Sequence, residues 1–158
     1  MTDPVFEGGC TCGSVRYRME ASPMIVHCCH CSWCQRETGS SYVLNALIEA
    51  SKLTVVDGDP VKILTPSASG KGQTIWRCPD CQVALWSRYA GFGDAVSFVR
   101  VGTLDEAHRF PPDVHIFTTT RQPWVRIPDE QPAFDEFYAL REQWPDESRA
   151  RLRKALGG

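Results

Sequence analysis

The chain's eight cysteines fall into three groups, and their spacing limits what the chain can become more than any other feature. The groups are C-x-C at Cys10 and Cys12, the run CCHCSWC from Cys28 to Cys34, and C-x-x-C at Cys78 and Cys81. Scattered cysteines serve as small buried hydrophobes, but that role does not account for cysteines in clusters. The N-terminal MTDPVFEGG lacks the basic-then-apolar pattern of a secretory leader. No apolar run approaches the length of a membrane span. The expectation is a cytoplasmic protein, where stable disulfides are rare. Metal binding is then the reading that accounts for the spacing.

Chain geometry sorts the ligands. Residues two apart on an extended chain point to the same side, so Cys10 and Cys12 present both sulfurs together. Cys78 and Cys81, in CPDC, converge two more across a tight turn. Two such pairs make a closed tetrahedral site, and their long separation suits a structural tie. In the middle run, Cys29 and Cys31 lie on one side and Cys34 returns to them after a short turn, while Cys28 and His30 point away. Three thiolates on one point is the count of a catalytic zinc with an open position. Zinc suits thiolates without redox demands, and iron fits the same donors. Other arrangements stay open at this level. Cys28 could exchange into the set, His30 could close a Cys₃His site, and the clusters could pair differently.

The rest of the chain reads as mainly β. At 158 residues it is expected to form one domain with a core of its own. SVRYRME alternates Val15, Tyr17 and Met19 against charged neighbours, the period of a half-buried strand. PMIVHC, SYVLNALIE, LTVVD, VKILT, QTIWRC, VALWSR, AVSFVRVG and VHIFTTT add further candidates, punctuated by turns such as DGDP and PSASGKG. No βαβ alternation appears, so the sheets are expected to be mainly antiparallel. Helix is expected over SWCQRET, closed by Gly39, and in a C-terminal segment at about 132–158. There Phe134, Phe137, Tyr138, Arg141 and Trp144 follow helical spacing, and Asp146 is placed to cap a second helix running through Leu156. A formal net charge of −2, with RARLRK as the one late basic run, gives nucleic acid little encouragement.

The ordered set GGCTCGSVRY, CHCSWCQRETGSSY, RCPDCQVALW, VGTLD and HIFTTTRQPWV resembles the glutathione-dependent formaldehyde-activating enzyme family, which includes a centromere-associated branch. The resemblance spans about residues 8–127. It implies coiled antiparallel β-sheets with few helices and two zinc sites. Cys10, Cys12, Cys78 and Cys81 match the family's structural site. Cys29, Cys31 and Cys34 match its active-site zinc, in agreement with the geometric sorting. It also implies a carbon–sulfur lyase that joins glutathione, as co-substrate, to formaldehyde. Gln82 stands where the family often has Gly after the C-x-x-C, so a positive φ is expected there at some cost. The stretch after Pro128 is longer than the family requires.

For such a reaction Arg36 is the nearby candidate to hold a glutathione carboxylate, with backbone N–H groups at Gly39 and Ser40 for the other. His115 reads as a core histidine. Trp33, Tyr42 and Trp124 could line a pocket or join the core. The expected partners are a small thiol and an aldehyde, with neither nucleic acid nor membrane. Two other classes compete: a non-enzymatic zinc module that binds a thiol or a protein, favoured if the second site is closed, and a nucleic-acid zinc ribbon, against which the acidic balance weighs.

Overall fold

The computed structural model describes residues 2–158. Ten strands form two sheets. The smaller holds β1 (Phe6–Gly9), β2 (Arg16–Met19) and β5 (Leu53–Asp57) in the order β1-β2-β5. The larger is built from β3 (Ile25–Cys29), β4 (Val43–Glu49), β6 (Val61–Thr65), β7 (Gln73–Arg77), β8 (Ala84–Tyr89), β9 (Val96–Arg100) and β10 (Val114–Ile116). Its order is β10-β3-β4-β9-β8-β7-β6. Every pairing is antiparallel except β10 with β3, which sets His115 opposite Cys28 and Ile116 opposite Cys29. The mainly β expectation holds. The parallel pair and the short β1 are additions, since a four-residue strand containing two glycines carries little periodic signal.

Strand β4 shows how one sheet serves two cores. Successive side chains point to opposite faces, so Ala46 and Ile48 enter one cluster and Val43 and Leu47 the other. The first cluster holds Phe6, Tyr17, Met19 and Trp86, with Tyr17 edge-on to Trp86 at 5.5 Å. The second holds Met24, Ile25, Phe98, Tyr138, Trp144 and Leu152. Burying each of these large side chains contributes about 1.5–3 kcal/mol. Cys10 and Cys78 belong to the first cluster and Cys29 and Cys34 to the second.

Helix α1 (Ser32–Thr38) forms as expected and ends at Gly39, whose φ of 65° gives the left-handed cap that glycine adopts freely. The C-terminal segment is different. The aromatic spacing from Phe134 to Trp144 predicted a helix, but only α2 (Leu140–Gln143) is helical there. Residues 132–136 instead run beside β10. His115 donates to the Pro132 carbonyl at 2.8 Å, Phe134 to the His115 carbonyl at 3.0 Å, and Phe117 to the Glu136 carbonyl at 2.9 Å. These bonds satisfy the outer edge of β10, which outweighs local helical periodicity. Helix α3 (Asp146–Ala155) forms near its expected bounds, but Asp146 lies in its first turn rather than capping it. Ser148 donates to the Met24 carbonyl at 2.7 Å, and Arg151 pairs with Glu49 at 2.6 Å. At least one basic residue of this helix is therefore a tie to the sheet.

Candidate active site

The cysteines gather into the groups their spacing suggested. Cys10, Cys12, Cys78 and Cys81 bring four sulfurs within 4.8 Å of one another. Cys10 and Cys12 come from the turn after β1, Cys78 and Cys81 from the turn between β7 and β8. The Cys10–Cys12 and Cys12–Cys78 sulfurs stand 3.5 and 3.6 Å apart. A disulfide needs about 2.05 Å, whereas four sulfurs at about 2.3 Å from one ion lie about 3.8 Å from each other. The donor set therefore fits a tetrahedral thiophilic ion. Backbone amides support the sulfurs, Val15 N–H reaching Cys10 at 3.3 Å and Asp80 N–H reaching Cys78 at 3.4 Å. Hydrogen bonding with Ser14, then with Cys10, holds the Cys12 thiol down to about 6. Gln82 takes φ 65°, as expected for its place after the turn.

Cys29, Cys31 and Cys34 form a group of three, also within 4.8 Å. Cys29 ends β3, Cys31 is the N-cap of α1, and Cys34 lies on its first turn. The Cys34 amide donates to the Cys31 sulfur at 3.2 Å. Hydrogen bonds from Cys29 and Cys34 hold Cys31 down to about 3. Donating to Cys31 and Cys34, and being buried, drives Cys29 far upward. Cys29 pulls Cys34 down, but its bond to Cys31 and its burial outweigh that and push it up to about 12. Metal ligation requires all three to lose their protons, and the nearby Arg100 charge favours that at Cys34.

Cys28 and His30 face the other way, as the alternation demanded. His30 stands 2.9 Å from His115 and 3.5 Å from Cys28, all three buried. His115 also bonds Gln131 at 2.6 Å. Burial, His115 and Arg121 hold His30 down to about 4. His30 thus belongs to a polar network behind the strand and not to the three-sulfur group.

The three sulfurs lie on the wall of a cavity of about 400 Å³. From β3 it receives His27, two residues before Cys29 and hence on the same face. His27 Nε2 is 2.5 Å from the Tyr138 hydroxyl, which also accepts from Trp144 at 2.8 Å. Burial holds His27 down to about 4. From β4 comes Asn45, whose oxygen accepts from Arg100 at 2.5 Å, leaving its NH₂ for a ligand. The loop before β7 adds Ser67, Ser69 and Lys71, and β7 itself adds Gln73, 6% exposed, with a buried Oε1 that lacks a partner. Aromatic rings complete the wall. Among them Phe117 has φ 55° and ψ 44°, a left-handed conformation that costs a bulky residue about 1–2 kcal/mol.

Arg36, Gly39 and Ser40 are not brought to this cavity. Arg36 is exposed and lies two residues past Cys34, about 200° around the helix from it. The Gly39 amide is spent on the Gln35 carbonyl at 2.8 Å, closing the helix. Ser40 is exposed. Trp33 lines the cavity. Tyr42 packs on His30 at 5.5 Å outside it, and Trp124, 68% exposed, lines no part of it. His27 was discoverable from its spacing to Cys29. Lys71 and Gln73 carried no local signal, because only the fold brings them to the sulfurs.

Residues 5–120 match the family model described as "Glutathione-dependent formaldehyde-activating enzyme". A Halomonas elongata protein named "Putative glutathione-dependent formaldehyde-activating enzyme" is 28% identical over 157 residues, 97% of each chain. A crystal structure of a Rhodobacter sphaeroides protein is similar with a TM-score of 0.47 and 22% identity, over 63% of this chain and 88% of that one.

Proposed function

Because this chain belongs to the glutathione-dependent formaldehyde-activating enzyme family, we propose that it is a zinc-dependent carbon–sulfur lyase that adds a glutathione-like thiol to an aldehyde. Three sulfurs converging on a ligand-sized cavity, with no fourth cysteine or histidine in their group among the described residues, is the observation that carries this reading. Cys10, Cys12, Cys78 and Cys81 hold a structural zinc. Cys29, Cys31 and Cys34 hold a second, which supplies acidification of an incoming thiol.

The chain's own residues do the remainder. In the addition, the thiol sulfur bonds to the carbonyl carbon, the C=O π bond becomes a C–O single bond, and the thiol proton ends on that oxygen. The Asn45 NH₂ donates to the oxygen as charge develops there, and its link to Arg100 fixes its orientation. Lys71 pairs with a carboxylate of the tripeptide, in the role expected of Arg36. The unpartnered Gln73 Oε1 accepts one of its N–H groups. The aromatic wall limits water at the reacting carbon.

The test is metal content by mass spectrometry, with and without glutathione, together with NMR magnetisation transfer between formaldehyde and S-hydroxymethylglutathione. Two zinc ions per chain and faster transfer than in buffer are expected. Two ions indifferent to glutathione, with transfer at the buffer rate, would reject the proposal in favour of a non-enzymatic module.

A further inference from the structure

We infer that the carbonyl substrate carries an apolar group about the size of a phenyl ring. This rests on the thiol–aldehyde reading above and specifies its second substrate. Size is the first ground. The cavity has to seat the tripeptide thiol and the carbonyl substrate together, and about 150 Å³ of a cavity is enough to take benzene. The cavity beside the three sulfurs is about 400 Å³.

Lining chemistry is the second ground. Trp33, Tyr89, Phe92, Phe98, Phe117 and Phe137 contribute six rings from separate stretches of the chain. Among the described residues no carboxylate and one cation, Lys71, line the cavity. Glutathione bears two carboxylates, an ammonium and two amides, so its polar matches lie with Lys71, Gln73 and the serines. The rings are left for something apolar.

The rings are also more than core. Trp33 and Phe137 remain 49% and 44% exposed while lining the cavity. Phe117 holds its ring there from a left-handed backbone. They sit close to the chemistry as well. Trp33 falls between Cys31 and Cys34, and Phe117 follows Ile116, the register partner of Cys29. A substituent on a carbonyl carbon attacked at the three sulfurs would meet this wall. The reaction is the same addition, and no oxidant or reductant enters.

The test uses the zinc-loaded full chain with glutathione and either formaldehyde or phenylacetaldehyde, with addition followed by NMR magnetisation transfer. The unreactive 2-phenylethanol serves as a binding probe. The expected result is a kcat/KM at least ten-fold higher for phenylacetaldehyde, and 2-phenylethanol shifting the resonances of Trp33 and Phe117. Trp33→Ala and Phe137→Ala should each lower the phenylacetaldehyde-to-formaldehyde ratio at least five-fold at unchanged metal content. Turnover of formaldehyde with no preference for the aryl aldehyde, or a ratio unmoved in both variants, overturns the inference and leaves the thiol–aldehyde reading standing. Turnover of neither aldehyde overturns both.

Discussion

The four sulfurs of Cys10, Cys12, Cys78 and Cys81 come from two turns far apart in the chain and gather at the edge of the core of Tyr17 and Trp86, with Cys10 and Cys78 inside it and Cys12 exposed. The three of Cys29, Cys31 and Cys34 come from one stretch of six residues, in the core of Phe98 and Tyr138, beside a cavity. Both sets are thiols of similar spacing. They differ in ligand count, in the span of chain they join, and in what lies next to them. The lesson is that what a cluster of donors can do follows from its connections as much as from the donors themselves.

The sharpest way to break the comparison is one serine at each site. Cys78→Ser should abolish cooperative unfolding, because a structural zinc supplies about 10–16 kcal/mol of apparent binding energy against a total stability of about 5–15 kcal/mol. Cys31→Ser should keep a cooperative melt by circular dichroism and lose one zinc, with addition slowed on the order of a hundred-fold or more. Equal loss of folding in both variants would erase the distinction between the sites.

Chelation should then separate the sites in affinity. A graded chelator should remove one zinc with the fold intact, since a site lacking a fourth protein ligand holds its ion less tightly. Loss of the second ion should coincide with unfolding. Simultaneous loss of both ions and the fold would contradict the assignment.

Acid tests the surroundings. His27 lines the three-sulfur cavity, and among the described residues no histidine joins the four sulfurs. Its folded value, about 4, lies below the ordinary value of 6.5. Between those values the unfolded chain binds the proton and the folded chain does not. The stabilising contribution is therefore complete above about pH 6.5 and is lost as pH falls toward 4. Urea midpoints at pH 7 and 5 should show the wild type losing about 2 kcal/mol more than His27→Gln. An equal loss in both would remove His27 from the account.

The smallest expected effect concerns backbone strain. Each site has one non-glycine residue with positive φ nearby, Gln82 after the four-sulfur turn and Phe117 on the cavity wall. Gln82→Gly should raise stability by about 0.5–1 kcal/mol, read as a rise in Tm, offset in part by losing the Gln82 bond to the Pro79 carbonyl at 2.8 Å. A fall in Tm would mean that this bond outweighs the strain.

Much of this was legible in the residues themselves. Period-two alternation placed Tyr17 and Met19 inward, and the same rule parted Cys29 and Cys31 from Cys28 and His30. Local signals mislead where a distant partner decides. Phe134 to Tyr138 have helical spacing yet leave the helix because β10 has an edge to fill. Arg36 is near the cysteines in sequence but turns away on the helix, while Lys71 and Gln73, about forty residues on, line the cavity. Their arrival depends on β6–β7 pairing and the turn of the large sheet, which no short window of sequence contains.

The contact between Cys12 and Cys78, 66 residues apart, has a consequence for the chain after it unfolds. An ion retained there makes the denatured polymer a closed ring rather than an open coil. By loop-closure estimates a ring of that length forfeits about 4 kcal/mol of disorder. An ion retained by Cys29, Cys31 and Cys34 ties off only a few residues and leaves the coil almost as free as before. The first is a staple on the polymer, and the second can come and go while the ensemble hardly registers it.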